Sequence, residues 1–231
     1  NQDYIYASPE PVGTLPNLFL VADGMGGHRA GDYASRYMVE NLVIYLNKHR
    51  GTGVVGQLKN AIDQVNRGLY KESLSQEEFY GRGCTLVAGV VEDNILYVAN
   101  VGDSRLYLIH GSLIHQVTRD HSYVEEMRRR GKITEADART HPQKNLITRA
   151  VGVEPYVEGD LFEVRLTEKD MLLLCSDGLT GMAEDSWIAE VLANAPTLEL
   201  AGDALLQLAL DGGGRDNITV ALFTLGKKQG A

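Results

Sequence analysis

Two cysteines in 231 residues are too few for a disulfide framework. Both Cys84 and Cys175 lie inside apolar runs, where a free thiol packs as a small hydrophobe. No apolar stretch approaches the roughly 20 residues needed to span a bilayer, and the N-terminus has no basic-then-apolar signal pattern. The expectation is a cytoplasmic protein with no membrane insertion. Positive charge is also scarce, since 22 Lys and Arg face 31 Asp and Glu for a net charge of −9. That field repels nucleic-acid phosphate and anionic lipid, so neither is an expected partner, and a phosphate ligand has to be attracted locally. The chain shows no internal repeat and no low-complexity linker. The glycine-rich Asp23-Gly24-Met25-Gly26-Gly27-His28 is not followed by Gly-Lys-Ser/Thr, which argues against a nucleotide-binding phosphate loop.

What is present is an ordinary globular composition, 44% hydrophobic and 23% charged, enough for one sizeable core. A single domain over 1–231 is expected. Short runs rich in Val, Ile and Leu read as strands at Leu18–Ala22, Cys84–Val91, Ile95–Val101, Arg105–Ile109, Leu161–Leu166, Met171–Cys175 and Ile218–Leu225. Glu92-Asp93-Asn94 and Gly102-Asp103-Ser104 join three of them so tightly that antiparallel hairpins, not parallel crossovers, are implied. Between the first two strands, Ala34, Met38, Leu42 and Tyr45 form one helical stripe and Leu58, Ile62, Val65 and Leu69 another. Leu198, Ala201, Leu205, Leu208 and Ala209 repeat the pattern before Gly212-Gly213-Gly214. The charge-dense flap segment 121–151, with Arg128-Arg129-Arg130, reads as a mobile helical excursion over the surface.

Chemistry collects where the strands stop. Leu18–Ala22 runs into Asp23-Gly24, and Met171–Ser176 into Asp177-Gly178. Val101-Gly102-Asp103 repeats the arrangement, and Asp216-Asn217 places an acid just before a strand. Any one Asp-Gly after a strand is ordinarily a turn. Four acids brought to one sheet edge, however, repel each other and bind protons unless cations neutralise them. Hard oxygen ligands without a Cys or His cluster suit Mg²⁺ or Mn²⁺, two of which can activate water for in-line displacement at phosphorus. The following glycine lets backbone come close enough to offer a carbonyl.

At these residues the chain resembles the metal-dependent protein phosphatases of the type 2C serine/threonine class, bacterial members in particular. The likeness is carried by Asn1-Gln2-Asp3, Val21 to His28, Gly83-Cys84-Thr85-Leu86-Val87, Asn100 to Arg105, Cys175 to Leu179 and Asp216 to Val220. It implies an α+β fold, a four-layer α/β/β/α sandwich of two antiparallel sheets flanked by helix pairs. It implies hydrolysis of phosphoserine or phosphothreonine by a hydroxide bridging two Mg²⁺ or Mn²⁺ ions. Asp23 would bridge the two ions, the Gly24 carbonyl would bind one, and Asp177 and Asp216 the other. Asp3 would hold a metal-bound water, and Asp103 with Asp177 would take a weaker third ion. Many relatives carry another acid where this chain has Gly181, which bears on that third site alone. The family usually has a phosphate-gripping arginine a few residues before the Asn-Gln-Asp block, so that grip is either upstream of Asn1 or missing.

His28 is the general-acid candidate, because the departing seryl or threonyl oxygen needs a proton and imidazole titrates near neutrality. The competing reading is that it caps the following helix or faces solvent. Arg149 matches a further family block, with packing or surface duty as its plainer role, and Arg128-Arg129-Arg130 reads as a solvated helix face. Cysteine-dependent phosphoryl transfer would need an arginine six positions after the nucleophile, where Val90 and Gly181 stand. Expected partners are phosphorylated proteins, including those of a cognate Ser/Thr kinase, and the protein is expected to be a monomer. A phosphoprotein-binding regulatory module with weak or no turnover is the alternative. Retention of Asp23, Asp177 and Asp216 favours the enzyme.

Overall fold

A computed structural model describes residues 1–26, 28–51, 53–75 and 81–225, apart from the side chains of His28 and Arg29. One sheet runs Asp3–Ser8 (β1), Leu18–Met25 (β2), Leu86–Glu92 (β4), Ile95–Val101 (β5) and Asp160–Arg165 (β8), with Gly83–Cys84 (β3) also paired to β2. The other runs Val220–Thr224 (β10), Asp170–Cys175 (β9), Arg105–His110 (β6) and Leu113–Gln116 (β7). Every pairing between these strands is antiparallel, as the short hairpin connections require.

Three layers of buried apolar side chains separate four layers of backbone. Leu18, Leu20 and Ala22 of β2 pack beneath His28–Lys48 (α1) and Val54–Ser75 (α2), where Met38, Leu42, Leu58 and Leu69 supply the helical stripes. Val21, Val87, Val98, Leu106, Leu172 and Leu174 fill the space between the sheets, with Phe19 stacked on Phe223 at 4.0 Å. Leu173 and Cys175 face Asp177–Thr180 (α5), Asp185–Asn194 (α6) and Leu198–Asp211 (α7) through Leu179, Ile188 and Leu205. The expected sandwich of two antiparallel sheets with helices outside is therefore present.

Several local readings are corrected. β2 does not stop at Ala22 but continues through Asp23 and Gly24 to Met25, because Asp23 pairs with Asp3 and Gly24 with Cys84. The single strand expected at Cys84–Val91 is interrupted at Thr85, whose N–H and hydroxyl both engage the Asp23 backbone. The segment 121–151 carries two short helices, Tyr123–Arg129 (α3) and Glu135–Thr140 (α4), each capped by a hydroxyl, from Ser122 and Thr134. Thr134 and Asp137 close a full capping box. Arg139 ties this segment to the second sheet's helices by donating to the Ala183 carbonyl at 2.9 Å.

Candidate metal centre

Strand alternation aims the acids at the rim of the inter-sheet core. Phe19 and Val21 of β2 face the second sheet, and Asp23 continues their parity two residues on. Asp3 is its cross-strand partner on β1. From the opposite sheet, Leu172 and Leu174 set the parity that brings Ser176 to the same rim. The Ser176 hydroxyl donates to Asp3 Oδ2 at 2.8 Å and accepts from the Thr219 N–H at 3.1 Å, bridging the two sheets beneath the acids. Asp177 then opens α5, and Asp216 lies just ahead of β10, exposed. Asn217 Oδ1 accepts from the Gln2 N–H at 2.5 Å, which holds the two chain regions in register.

Asp103 comes from the β5–β6 turn, and hydroxyls fix that turn to β2. The Asp23 N–H donates to Thr85 Oγ1 at 2.9 Å, and Thr85 Oγ1 meets Ser104 Oγ at 2.7 Å. Glycine after the acid serves close packing. A Cβ on Gly24 would overlap the Gly31 carbonyl of α1, and one on Gly178 would overlap the Asn217 carbonyl. The Gly24 carbonyl itself accepts from Gln2 Nε2 at 3.3 Å.

The electrostatics are those of a site missing positive charge. Burial, and then the carboxylates of Asp3, Asp177, Asp103 and Asp216, push the Asp23 carboxyl up to about 10. Burial and Asp177 push Asp103 up to about 8. Asp3 and Asp177 are raised as well, burial being the largest cause for each, although both hydrogen-bond to Asp23. Asp3 Oδ1 and Asp177 Oδ1 are buried and, a proton shared with Asp23 aside, have no hydrogen-bond donor from the chain. Either a proton held on Asp23 or a cation has to satisfy these oxygens.

Divalent cations fit this donor set. Among the described residues no group of three or more His, Cys, Asp or Glu side chains is gathered tightly enough to enclose an ion by itself. Mg²⁺ does not need such a cage, because it keeps several waters and uses one or two carboxylates, with substrate phosphate completing the shell. Buried carboxylate oxygens and a carbonyl, with no thiolate or imidazole among the described side chains, match that preference and not the preference of zinc.

Of the residues singled out in the sequence, Asp3, Asp23, Asp103, Asp177 and Asp216 come together, each acting electrostatically on another of the group. The side chain of His28, the general-acid candidate, lies outside the described residues. Arg149 Nη1 pairs with Asp160 at 3.0 Å and lies 3.4 Å from His121 Nε2. In the arginine run, Arg128 pairs with Glu125 and Arg130 with Glu126 on half-exposed helix surface. Ser176, Thr85, Ser104 and Asn217 were not singled out. Ser176, Ser104 and Asn217 each lie beside a motif acid, and that adjacency is their only sign, whereas Thr85 has no acid next to it in the chain and reaches Asp23 only through strand pairing.

A cavity of about 520 Å³ opens beside Asp103 and Asp177, between the 121–151 segment and the second sheet. Arg119, Arg139 and Lys144 lie on its wall.

Similarity to known proteins bears on the family and the fold. The family model for protein phosphatase 2C matches residues 13–218. The serine/threonine phosphatase stp of Listeria monocytogenes is 42% identical over 209 residues, covering 89% of this chain and 83% of that protein. The crystal structure of serine/threonine phosphatase Stp1 from Staphylococcus aureus superposes with a TM-score of 0.92 at 38% identity, over 98% of this chain and 90% of that one. The catalytic domain of the serine/threonine protein phosphatase PstP, solved in complex with two manganese ions, gives a TM-score of 0.82 at 33% identity, over 96% and 90% of the two chains. This chain belongs to the protein phosphatase 2C family.

Proposed function

We propose that this chain is a Mg²⁺- or Mn²⁺-dependent protein phosphatase acting on phosphoserine and phosphothreonine. The observation that carries the reading is the Asp23 cluster, five acids drawn from separate segments, with two buried carboxylate oxygens lacking a donor. Family membership and relatives named serine/threonine phosphatase support it.

In this reading Asp23, the Gly24 carbonyl, Asp177 and Asp216 would hold two ions. Asp103, with Asp177, would hold a weaker third. When bound, the ions supply an activated water and shield the charge on the phosphoryl oxygens. The chain's own groups do the rest. Asp3, held by Ser176, accepts hydrogen bonds from the attacking water and orients it toward phosphorus. Arg119, Arg139 and Lys144 on the cavity wall give phosphate the local attraction that a net charge of −9 denies it at long range. His28 donates the proton that the departing seryl or threonyl oxygen requires. Phosphorylated proteins, those of a cognate Ser/Thr kinase among them, are the substrate class.

Phosphate release from a phosphothreonine peptide tests this directly. Chelation should abolish release and Mn²⁺ restore it, and Asp23→Asn or Asp216→Asn should each cost at least about 10²-fold in kcat. Release that survives chelation or both substitutions would sink the two-ion reading, and binding without turnover would establish the regulatory-module alternative. His28→Ala should slow the peptide more than p-nitrophenyl phosphate, whose leaving group scarcely needs a proton. Equal loss on both substrates removes His28 from the acid role.

A further inference from the structure

His121 stands at the root of the 121–151 segment and is almost fully buried, at 5% exposure. Its backbone and ring grip one turn from two sides. The Gly102 N–H donates to His121 Nδ1 at 3.1 Å, and the His121 N–H donates to the Gly102 carbonyl at 2.9 Å. Gly102 is the residue before Asp103. Asn100 Nδ2 reinforces the turn by donating to the same Gly102 carbonyl at 3.2 Å and to the Arg119 carbonyl at 2.9 Å.

The same residue closes the segment on itself. The His121 carbonyl accepts from the Thr148 N–H at 2.7 Å, Ser122 bridges Ile147, and the Tyr123 N–H donates to the Leu146 carbonyl at 2.8 Å. Because Nδ1 accepts from a backbone N–H, the ring proton of the neutral imidazole sits on Nε2. Nε2 lies 3.4 Å from Asp160 Oδ1, the oxygen that also receives Arg149 Nη1 from the segment's exit. One imidazole thus joins the Asp103 turn, the segment's entry and, through Asp160, its exit.

We propose that His121 is a positioning residue for Asp103, tying the Gly102–Asp103 turn to both ends of the 121–151 segment so that seating the segment and placing the carboxylate are one event. The proposal rests on the phosphatase reading above for its consequence in catalysis, and on the hydrogen bonds alone for its geometry. It makes the flap part of the acid site's support. A peptide that engages the segment therefore acts on ion affinity at Asp103, and an ion at Asp103 acts on peptide affinity by the same factor.

Two near-isosteres separate the ring's two contacts. In His121→Asn the amide oxygen takes the place of Nδ1 and can still accept from the Gly102 N–H. In His121→Gln the polar atoms lie one bond further out, so the Asp160 contact is kept and the Gly102 contact is lost. Amide hydrogen exchange of the metal-free protein should show Gly102 protected in wild type and His121→Asn, and fast in His121→Gln. In the Mn²⁺-loaded enzyme, His121→Gln should raise the half-saturating Mn²⁺ concentration about tenfold, with His121→Asn nearer wild type. Equal protection of Gly102 in both variants, or equal losses in both with unchanged Mn²⁺ dependence, would overturn the coupling and leave His121 a packing residue. Should the exchange pattern follow while wild type releases no phosphate, the coupling stands and the phosphatase reading fails.

Discussion

Two clusters of buried charge adjoin at the rim of the sandwich, and the chain treats them in opposite ways. In the first, Arg105 brings its own counter-ion. Its Nε and Nη2 reach Asp120 at 3.0 and 2.7 Å, and its Nη1 donates to the Tyr107 hydroxyl at 2.8 Å. Tyr107 passes a hydrogen bond on to Asp185 at 2.9 Å, and Gln116 donates at 2.8 Å to Asp120 Oδ1, the oxygen that also takes Arg105 Nε. Burial alone would pull the Arg105 guanidinium down, but Asp120 beside it holds it well above its ordinary value. In the second cluster, burial on Asp23 is compounded by four further carboxyls. The chain closes one charge cluster with a bidentate arginine and leaves its neighbour open, as the proposed cation site requires.

The largest effect that separates the clusters is on stability. Asp120→Ala takes the bidentate partner from the Arg105 guanidinium, leaving it Tyr107 and the more distant Asp185 at 3.8 Å, and breaking such a pair costs about 3–5 kcal/mol. With Arg105 still 21% exposed, the lower end of that range is expected. Urea unfolding should show the same loss with and without Mn²⁺, since nothing in this cluster waits for an ion. A loss that Mn²⁺ repairs would mean that the two clusters are one electrostatic unit.

The pH dependence of the metal-free protein should expose the open cluster. Asp23 titrates near 10 when folded, well above its unfolded value, so the folded state holds a proton that the unfolded state releases. Stability from that proton is complete below the unfolded pKa of about 4 and is lost as pH rises toward 10. Asp103, raised to about 8, adds to the fall over the lower part of the range. Each group alone contributes up to about 1.4 kcal/mol per pH unit while only its unfolded form is ionised. Urea midpoints from pH 5 to 9 in chelator should therefore decline, Asp23→Asn should flatten the decline, and saturating Mn²⁺ should do the same by replacing the proton. A flat profile in the metal-free wild type would remove the electrostatic case for an ion site.

The sequence made the open cluster far more legible than the closed one. Asp23, Asp103, Asp177 and Asp216 announce themselves by following or preceding apolar runs, a signal that survives without knowledge of the fold. The same apolar runs and hairpin spacing gave the strands and their antiparallel pairing, except for two strands at the margins, while the division into two sheets followed from the family resemblance. β1 is six residues at the chain's start with two tyrosines as its inward face, and β7 is four residues of mostly exposed edge. α6 went unread because its apolar stripe rests on few positions, Ile188, Ala189 and Leu192. The pairings that finish the site could not be read. Arg105 finds Asp120 across 15 residues and Ser176 finds Asp3 across 173, and no local period encodes a contact made by folding one sheet over another.

Ser176 offers the finest test, because it belongs to neither cluster and touches Asp3, a buried acid of the open one. Ser176→Ala removes the donor to Asp3 Oδ2 and the acceptor of the Thr219 N–H in one step. A buried amide and a carboxylate oxygen each lose a partner, so a stability loss on the order of 1–3 kcal/mol is expected in chelator. Mn²⁺ should recover part of it, because an ion near Asp23 stabilises the ionised Asp3 that the hydroxyl no longer supports. Calorimetric melting of wild type and Ser176→Ala across a Mn²⁺ series reads both quantities at once. A loss that is the same at every Mn²⁺ concentration would show that the hydroxyl serves only to stitch the sheets together, and Asp3 would then be held at the site by Thr219 and its pairing with Asp23.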